Sequence, residues 1–391
     1  MTISPASEAP FVTRRRVYYV AGFDTRGPRF YHQLYQTESA RQQKINGCEY
    51  EVSGLTPSGP HSSSCTVQTR SAQASVHTTY TFLLWNDIIR DYWPTSAARV
   101  VSRMPAFYWH YGLTGCLAKT WRLSRPFFWI ILLPLLYTAA GVVAAVFAGL
   151  GAAWLASHWA ESPIGPAVLG TAATVALLAA TLFVCEHLRV FWLMRAWTFM
   201  IEWARRPARL QQRFGEFARQ IEAEIQIEPA DEVLIIGHSA GSMAAISVAE
   251  SWLALGAGGA PRPSKVKLML IGSATPLLGV IPEAAWFRSQ VAAVGASNMT
   301  WIDFTAPADP LCYALVNPFT ALGLTVPTRS NYKIKSARFD KMFDAADYRK
   351  IRYDFFRIHF QYLVATARAV ENDYFTLTAG PHPLVVDTTV R

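Results

Sequence analysis

The 391-residue chain is short of cysteine, short of charge, and short of acid relative to base. Its five cysteines, Cys48, Cys65, Cys116, Cys185 and Cys312, are odd in number, scattered, and include no C-x-x-C pair. That pattern argues against a disulfide framework and against a zinc site, and it suits a reducing compartment. No His or Cys cluster has metal-ligand spacing, and the glycine-rich stretches lack the lysine of a phosphate-binding loop, so no metal and no cofactor is expected. Charged residues make up only 16% of the chain, and half of it is apolar. Lys and Arg number 36 against 27 Asp and Glu, giving a formal net charge of +9. Many of the arginines flank apolar runs and no nucleic-acid motif is present, so the excess reads as attraction to a membrane surface, with no nucleic-acid partner.

Two runs almost free of charge stand out. Pro126 to Ala156 and Ile164 to Cys185 are each long enough to cross a bilayer, and they predict transmembrane helices at about 127–156 and 164–185. Lys119, Arg122 and Arg125 precede the first and Arg189, Arg195, Arg205 and Arg206 follow the second, whereas the connector Ser157 to Pro163 has neither Lys nor Arg. Both ends of this hairpin are therefore expected on the cytoplasmic side, as in a bacterial-type inner membrane protein with two spans. Arg99 to Arg125 and Val190 to Ala204 mix aromatic and basic residues in a way that suits helices lying in the headgroup region.

The rest reads as alternating strands and helices. Val17 to Phe23, Glu49 to Leu55, Thr78 to Trp85, Val266 to Ile271, Met299 to Phe304 and Tyr332 to Phe339 are expected as strands, with a Ser/Pro/His-rich loop over Pro57 to Ser64. The triple arginine at 14–16 does not open a signal peptide, because the apolar stretch behind it ends at Asp24. Phe30 to Gln43, Pro207 to about Ile225 and Pro282 to Val294 are expected as helices, and Gly256 to Pro263 as a loop. The organisation predicted is residues 1–94 and 206–391 forming one α/β domain, interrupted by a membrane insertion at 95–205.

The most informative stretch is Val233 to Ala245, V-L-I-I-G-H-S-A-G-S-M-A-A. Apolar residues run into Gly237-His238-Ser239-Ala240-Gly241, and small apolar residues follow at helical spacing, so the segment predicts buried strand, sharp turn and helix. Such a turn lifts the Ser239 hydroxyl clear of the sheet and aims the backbone N–H of Ala240 at a developing oxyanion. Through this segment, and more loosely through the order of elements around it, the chain resembles the α/β-hydrolase superfamily of lipase or esterase type.

The resemblance implies a mostly parallel sheet flanked by helices, and partners for Ser239 in the chain order serine, acid, histidine. Asp309, in the loop after the strand Met299 to Phe304, is then the acid, preferred to Asp303 inside the strand. His359 is the base, preferred to His382 in the tail, and it is expected where a histidine loop passes into a final helix. His238 is expected to point away from the Ser239 hydroxyl. The loop after the first strand implies a second oxyanion donor, the N–H of Phe23, in competition with an ordinary turn. The function implied is hydrolysis of a carboxylic ester through an acyl-serine intermediate, with membrane lipids or another lipophilic ester as substrate. A catalytically silent hydrolase-fold membrane scaffold and an acyltransferase using the same residues are the alternatives.

Overall fold

The computed structural model describes residues 11–256, 265–327, 331–370 and 372–386, and most of the loop expected at Gly256 to Pro263 lies outside them. The described chain forms two units, one of residues up to 91 together with 203 onward, the other of residues 92–202.

Among the described residues the first unit is built on nine strands: β1 (Arg14–Val20), β2 (Glu49–Val52), β3 (Thr56–Gly59), β4 (Ser62–Arg70), β5 (Ser75–Leu83), β6 (Glu232–His238), β7 (Val266–Ile271), β8 (Thr300–Thr305) and β9 (Tyr332–Ser336). They lie in the order β2-β4-β5-β1-β6-β7-β8-β9, with β3 paired to β4. From β5 to β9 every neighbouring pair is parallel, whereas β2, β3 and β5 pair antiparallel with β4. The unit is thus α/β, a mostly parallel mixed sheet flanked by helices.

The central strands read as continuous apolar runs because both faces are covered. Val17, Tyr19, Leu234, Ile236, Met269 and Ile271 face one way, into a core shared with Tyr31 and Tyr35 of the helix Pro28–Asn46. Tyr18, Val20, Val233, Ile235, Leu268 and Leu270 alternate with them and are equally buried. On that side the helix Gly241–Ala254 packs against β6 and between the helices Ala208–Ile227 and Ala285–Ala296.

Parallel register aligns the carboxyl ends of the strands. Val20 pairs with Gly237, His238 with Ile271, Ile271 with Phe304, and Thr305 with Ser336. The chain leaves β1 toward β5 on one side and β6 lies on the other, so the sheet reverses its winding between β1 and β6. In open α/β sheets that crevice, at the carboxyl ends, is where ligands bind.

Two expectations of strand and helix placement are corrected. The segment expected as a loop over Pro57 to Ser64 forms β3 and the start of β4, with Thr56 to Gly59 folding back on Ser62 to Ser64. Its polar Ser and Thr residues carry little apolar pattern, and the pairing of Ser62 to Arg70 along the whole of β5 supplies what local sequence did not. His359 does not open a final helix: it ends the short helix Phe355–His359, which Asp354 caps by accepting from the Arg357 N–H.

The second unit contains two helices, Arg125–Ser157 and Ile164–His187, long and apolar enough to cross a membrane. Only 22% and 11% of their most apolar windows are buried, so Trp129, Phe147, Leu150, Trp154 and Phe183 present apolar surface outward. Close approach of the two helices depends on small residues. A Cβ on Gly149 would lie 2.8 Å from the Gly170 carbonyl oxygen, and one on Gly170 would lie 2.7 Å from that of Gly149.

The helix Val190–Arg205 differs from the interfacial helix expected at Val190 to Ala204. Phe191, Met194, Thr198 and Met200 are all buried, and so is Arg195. A helix lying on a membrane keeps a solvated polar face; here the arginine of that face donates to Glu186 through both terminal nitrogens and to the Pro94 carbonyl through Nε.

Candidate active site

The turn after β6 has the strained form that its sequence demands. Ser239 sits at φ 58°, in the left-handed region, between the last strand residue and the helix beginning at Gly241. For a residue with a Cβ that conformation costs about 1 kcal/mol or more. Glycine on either side is required by contact. A Cβ on Gly237 would fall 2.4 Å from the Gly241 carbonyl oxygen, and one on Gly241 would fall 2.2 Å from that of Val20. The Ser239 N–H is tied to the Ile271 carbonyl at 3.0 Å, which fixes the turn against β7. Ser239 remains partly exposed while its neighbours His238 and Ala240 are buried.

Asp309 and His359 meet at the same end of the sheet. His359 Nδ1 lies 2.7 Å from Asp309 Oδ2, with both side chains almost wholly buried. A carboxylate oxygen can only accept, so Nδ1 carries the proton and Nε2 is left as the basic nitrogen. His359 Nε2 is buried and has no hydrogen-bond partner among the described residues, Ser239 included. The imidazole stands over Gly272, the residue after the one that holds the Ser239 N–H: a Cβ on Gly272 would lie 3.2 Å from His359 Cε1.

Tyr362, Ala306 and Leu311, which carry no expectation from the sequence, and His238, expected to point away from the Ser239 hydroxyl, complete this corner. The Tyr362 hydroxyl donates to Asp309 Oδ2 at 3.0 Å and accepts from the Ala306 N–H, while the Leu311 N–H donates to Asp309 Oδ1 at 2.9 Å. Burial holds the Tyr362 phenol well above its usual pKa, so it stays a donor. His238 packs its ring 4.9 Å from that of His359 and donates from Nε2 to the His359 carbonyl at 3.0 Å. Burial, with His359 beside it, pushes the pKa of His238 down to about 3, so it adds no charge near the base. Tyr362, three residues past His359 in an apolar stretch, carries no local signal of this contact.

Of the expected oxyanion donors, Ala240 adjoins Ser239 in the turn and Phe23 follows the loop residue nearest to it. Ala240 precedes the helix Gly241–Ala254, at whose positive end its N–H sits. The loop after β1 passes directly beside the serine, since a Cβ on Gly22 would be 3.0 Å from Ser239 Cβ and 3.4 Å from Oγ. Phe23 follows, buried, and Trp85 Nε1 anchors the loop by donating to the Ala21 carbonyl at 2.9 Å.

The rejected candidates lie elsewhere. Asp303 is buried within β8, where burial pushes its carboxyl up to about 7, and it makes no bond to His359. The backbone of His382 binds Arg15 near the amino end of β1, at the opposite end of the sheet from Ser239. Among the described residues, no group of three or more His, Cys, Asp or Glu could hold a metal ion.

A hydroxyl on a strained turn, a carboxylate-bound imidazole with its second nitrogen unpaired, and a glycine loop against the serine form a set that can carry nucleophilic acyl chemistry. Comparison of the chain with protein-family models, curated proteins and solved structures gave no match in any of the three.

Proposed function

We propose that this protein is a membrane-anchored serine hydrolase of α/β-hydrolase type that cleaves carboxylic esters. Ser239 Oγ attacks the ester carbonyl carbon as its proton passes to His359 Nε2. The tetrahedral oxyanion is held by the N–H groups of Ala240 and Phe23. Collapse breaks the carbon–oxygen bond to the alcohol, which leaves with the proton from His359. Water then cleaves the acyl-serine by the same steps, while Asp309 keeps the imidazole oriented throughout.

The observation that carries this reading is the buried 2.7 Å contact between His359 and Asp309 at the strand ends that also present Ser239 at φ 58°. In free enzymes the bond between nucleophile and base is often long or unformed and tightens in the substrate complex. The two apolar helices support a two-span anchor, and the basic residues at both outer ends support a cytoplasmic position for the Ser239 domain. A site tethered to a bilayer meets lipid esters at high local concentration, so lipids are the preferred substrate class.

The test is labelling of the membrane fraction with a fluorophosphonate probe in the parent protein and in Ser239→Ala, His359→Ala and His382→Ala. Labelling lost in the first two and kept in the third is expected. A folded parent protein that takes no label overturns the proposal in favour of a silent scaffold.

A further inference from the structure

The loop that passes beside Ser239 is also the most arginine-rich part of the site. Arg26 lies on it and pairs with its carboxylate, Asp24, and Arg90 bonds to its backbone at Thr25. Arg26 donates from Nε to both Asp24 oxygens at 3.0 and 2.8 Å, and its Nη2 lies 2.6 Å from Asp24 Oδ2. Its guanidinium lies 3.6 Å over the ring of Phe30 and 5.2 Å from that of Phe360. Arg90 donates from Nε to the Thr25 carbonyl at 3.0 Å. Asp87 and Asp91, which share the helix of Arg90, pair instead with Arg213 and Arg209.

The geometry connects this cluster to the reacting groups. Phe360 follows His359 in sequence and packs its ring 5.3 Å from that of His238, the residue before Ser239. One ring therefore touches both the arginine and the elbow. Arg26 is held as a stacked, oriented cation with its side chain 45% exposed. Asp24 is itself occupied by the Tyr31 hydroxyl at 2.6 Å. Although burial opposes it, the Arg26 guanidinium holds the Asp24 carboxyl below the usual carboxylate range, and Arg90 adds a second positive charge at the Thr25 carbonyl. Fixed, stacked guanidinium groups with free N–H donors are suited to phosphate oxygens.

Resting on the serine hydrolase reading, we propose that the preferred substrate is an ester whose alcohol part carries a phosphate, with Arg26 as the principal specificity residue and Arg90 as its supplement. The phosphate stays on the leaving alcohol, and the acyl group goes to Ser239.

The test compares two soluble short-chain substrates, 1-butyrylglycerol and 1-butyrylglycerol 3-phosphate, with the full-length protein in a neutral detergent. The ratio of their kcat/KM values is expected to favour the phosphate ester by about tenfold or more, as charge-assisted hydrogen bonds allow. Arg26→Gln brings the ratio close to one, mainly through a raised KM for the phosphate ester, and Arg90→Gln lowers it less. Arg26→Lys keeps the charge but loses the stacked fork, and recovers only part of the preference.

Fluorophosphonate labelling of each variant shows that it is folded. A parent ratio near one, or a ratio unchanged in labelled Arg26→Gln and Arg90→Gln, overturns the specificity while leaving the hydrolase standing. Loss of labelling in the parent removes both. A third arm uses oleoyl versions of the two esters in phosphatidylcholine vesicles. The same preference there and in solution assigns recognition to the phosphate itself, and a preference seen only in vesicles overturns the site in favour of attraction between a charged surface and the chain's net charge.

Discussion

The two ends of the same parallel strands are built on opposite terms. At the amino end, Arg15 of β1 donates from Nε to Glu232 of β6 at 2.6 Å and from its two terminal nitrogens to the carbonyls of Gly380 and His382. Lys267 of β7 and the Leu384 N–H complete Glu232 from the other side at 2.7 Å each. Every charge in this buried network has its partners. At the carboxyl end, Ser239 holds a strained backbone, His359 keeps one buried nitrogen unpaired, and His238 is forced to stay neutral. One sheet thus carries a fully partnered ion network at the amino ends of its strands, and a strained serine beside an unpartnered imidazole nitrogen at their carboxyl ends.

The sharpest way to break this contrast is Asp309→Asn. It preserves shape but turns an acceptor toward a donor, so the imidazole loses its oriented tautomer. Turnover of a soluble ester should fall on the order of 10⁴-fold with little change in stability. A loss of stability comparable to the loss of turnover would mean that the carboxyl end is a structural network like the other.

Glu232→Gln should do the reverse. Arg15 is left buried without its counter-charge, and unfolding in denaturant, followed by tryptophan fluorescence in detergent, should come at about 3–5 kcal/mol lower stability. Fluorophosphonate labelling of the remaining folded protein should persist.

His238 sharpens the comparison through pH. Its folded pKa of about 3 lies below the ordinary 6.5, so the unfolded chain binds the extra proton first as the solution is acidified. Stability contributed by the neutral ring is complete above about pH 6.5 and declines toward pH 3, by at most about 1.4 kcal/mol per pH unit. His238→Gln should flatten that part of the thermal-stability profile; an unchanged acid limb would place the sensitivity elsewhere.

The smallest effect is expected from Gly22→Ala, whose new methyl would sit against the Ser239 side chain. The neighbouring atoms must shift by tenths of an ångström, so kcat should fall roughly tenfold with KM nearly constant, as for a misplaced reacting group. A rise in KM alone would assign the loop to substrate binding.

Much of the site was legible because its signals are local or ordered along the chain. Gly237 and Gly241 announce a turn that only small residues permit, and Asp309 follows a strand by a few residues. Order and position in the chain favour His359 over His382, and the structure brings His359 to Asp309 while placing His382 at the amino end of β1. The polar hairpin of β3 and β4 escaped because its pattern is completed by β5, which follows it in the chain. The burial of Val190–Arg205 escaped for a related reason: an amphipathic pattern does not say whether water, lipid or protein covers its polar face.

By itself the sequence determined the strand, turn and helix at Ser239 and the two long apolar helices, because steric limits at glycine and runs of uncharged side chains act within a few residues. Only the tertiary structure decided that Asp309 and His359 face each other, that Tyr362 and His238 hold them, and that Arg26 stands beside Phe360. Those contacts join positions far apart in the chain, and they exist only once parallel register has brought the strand ends together.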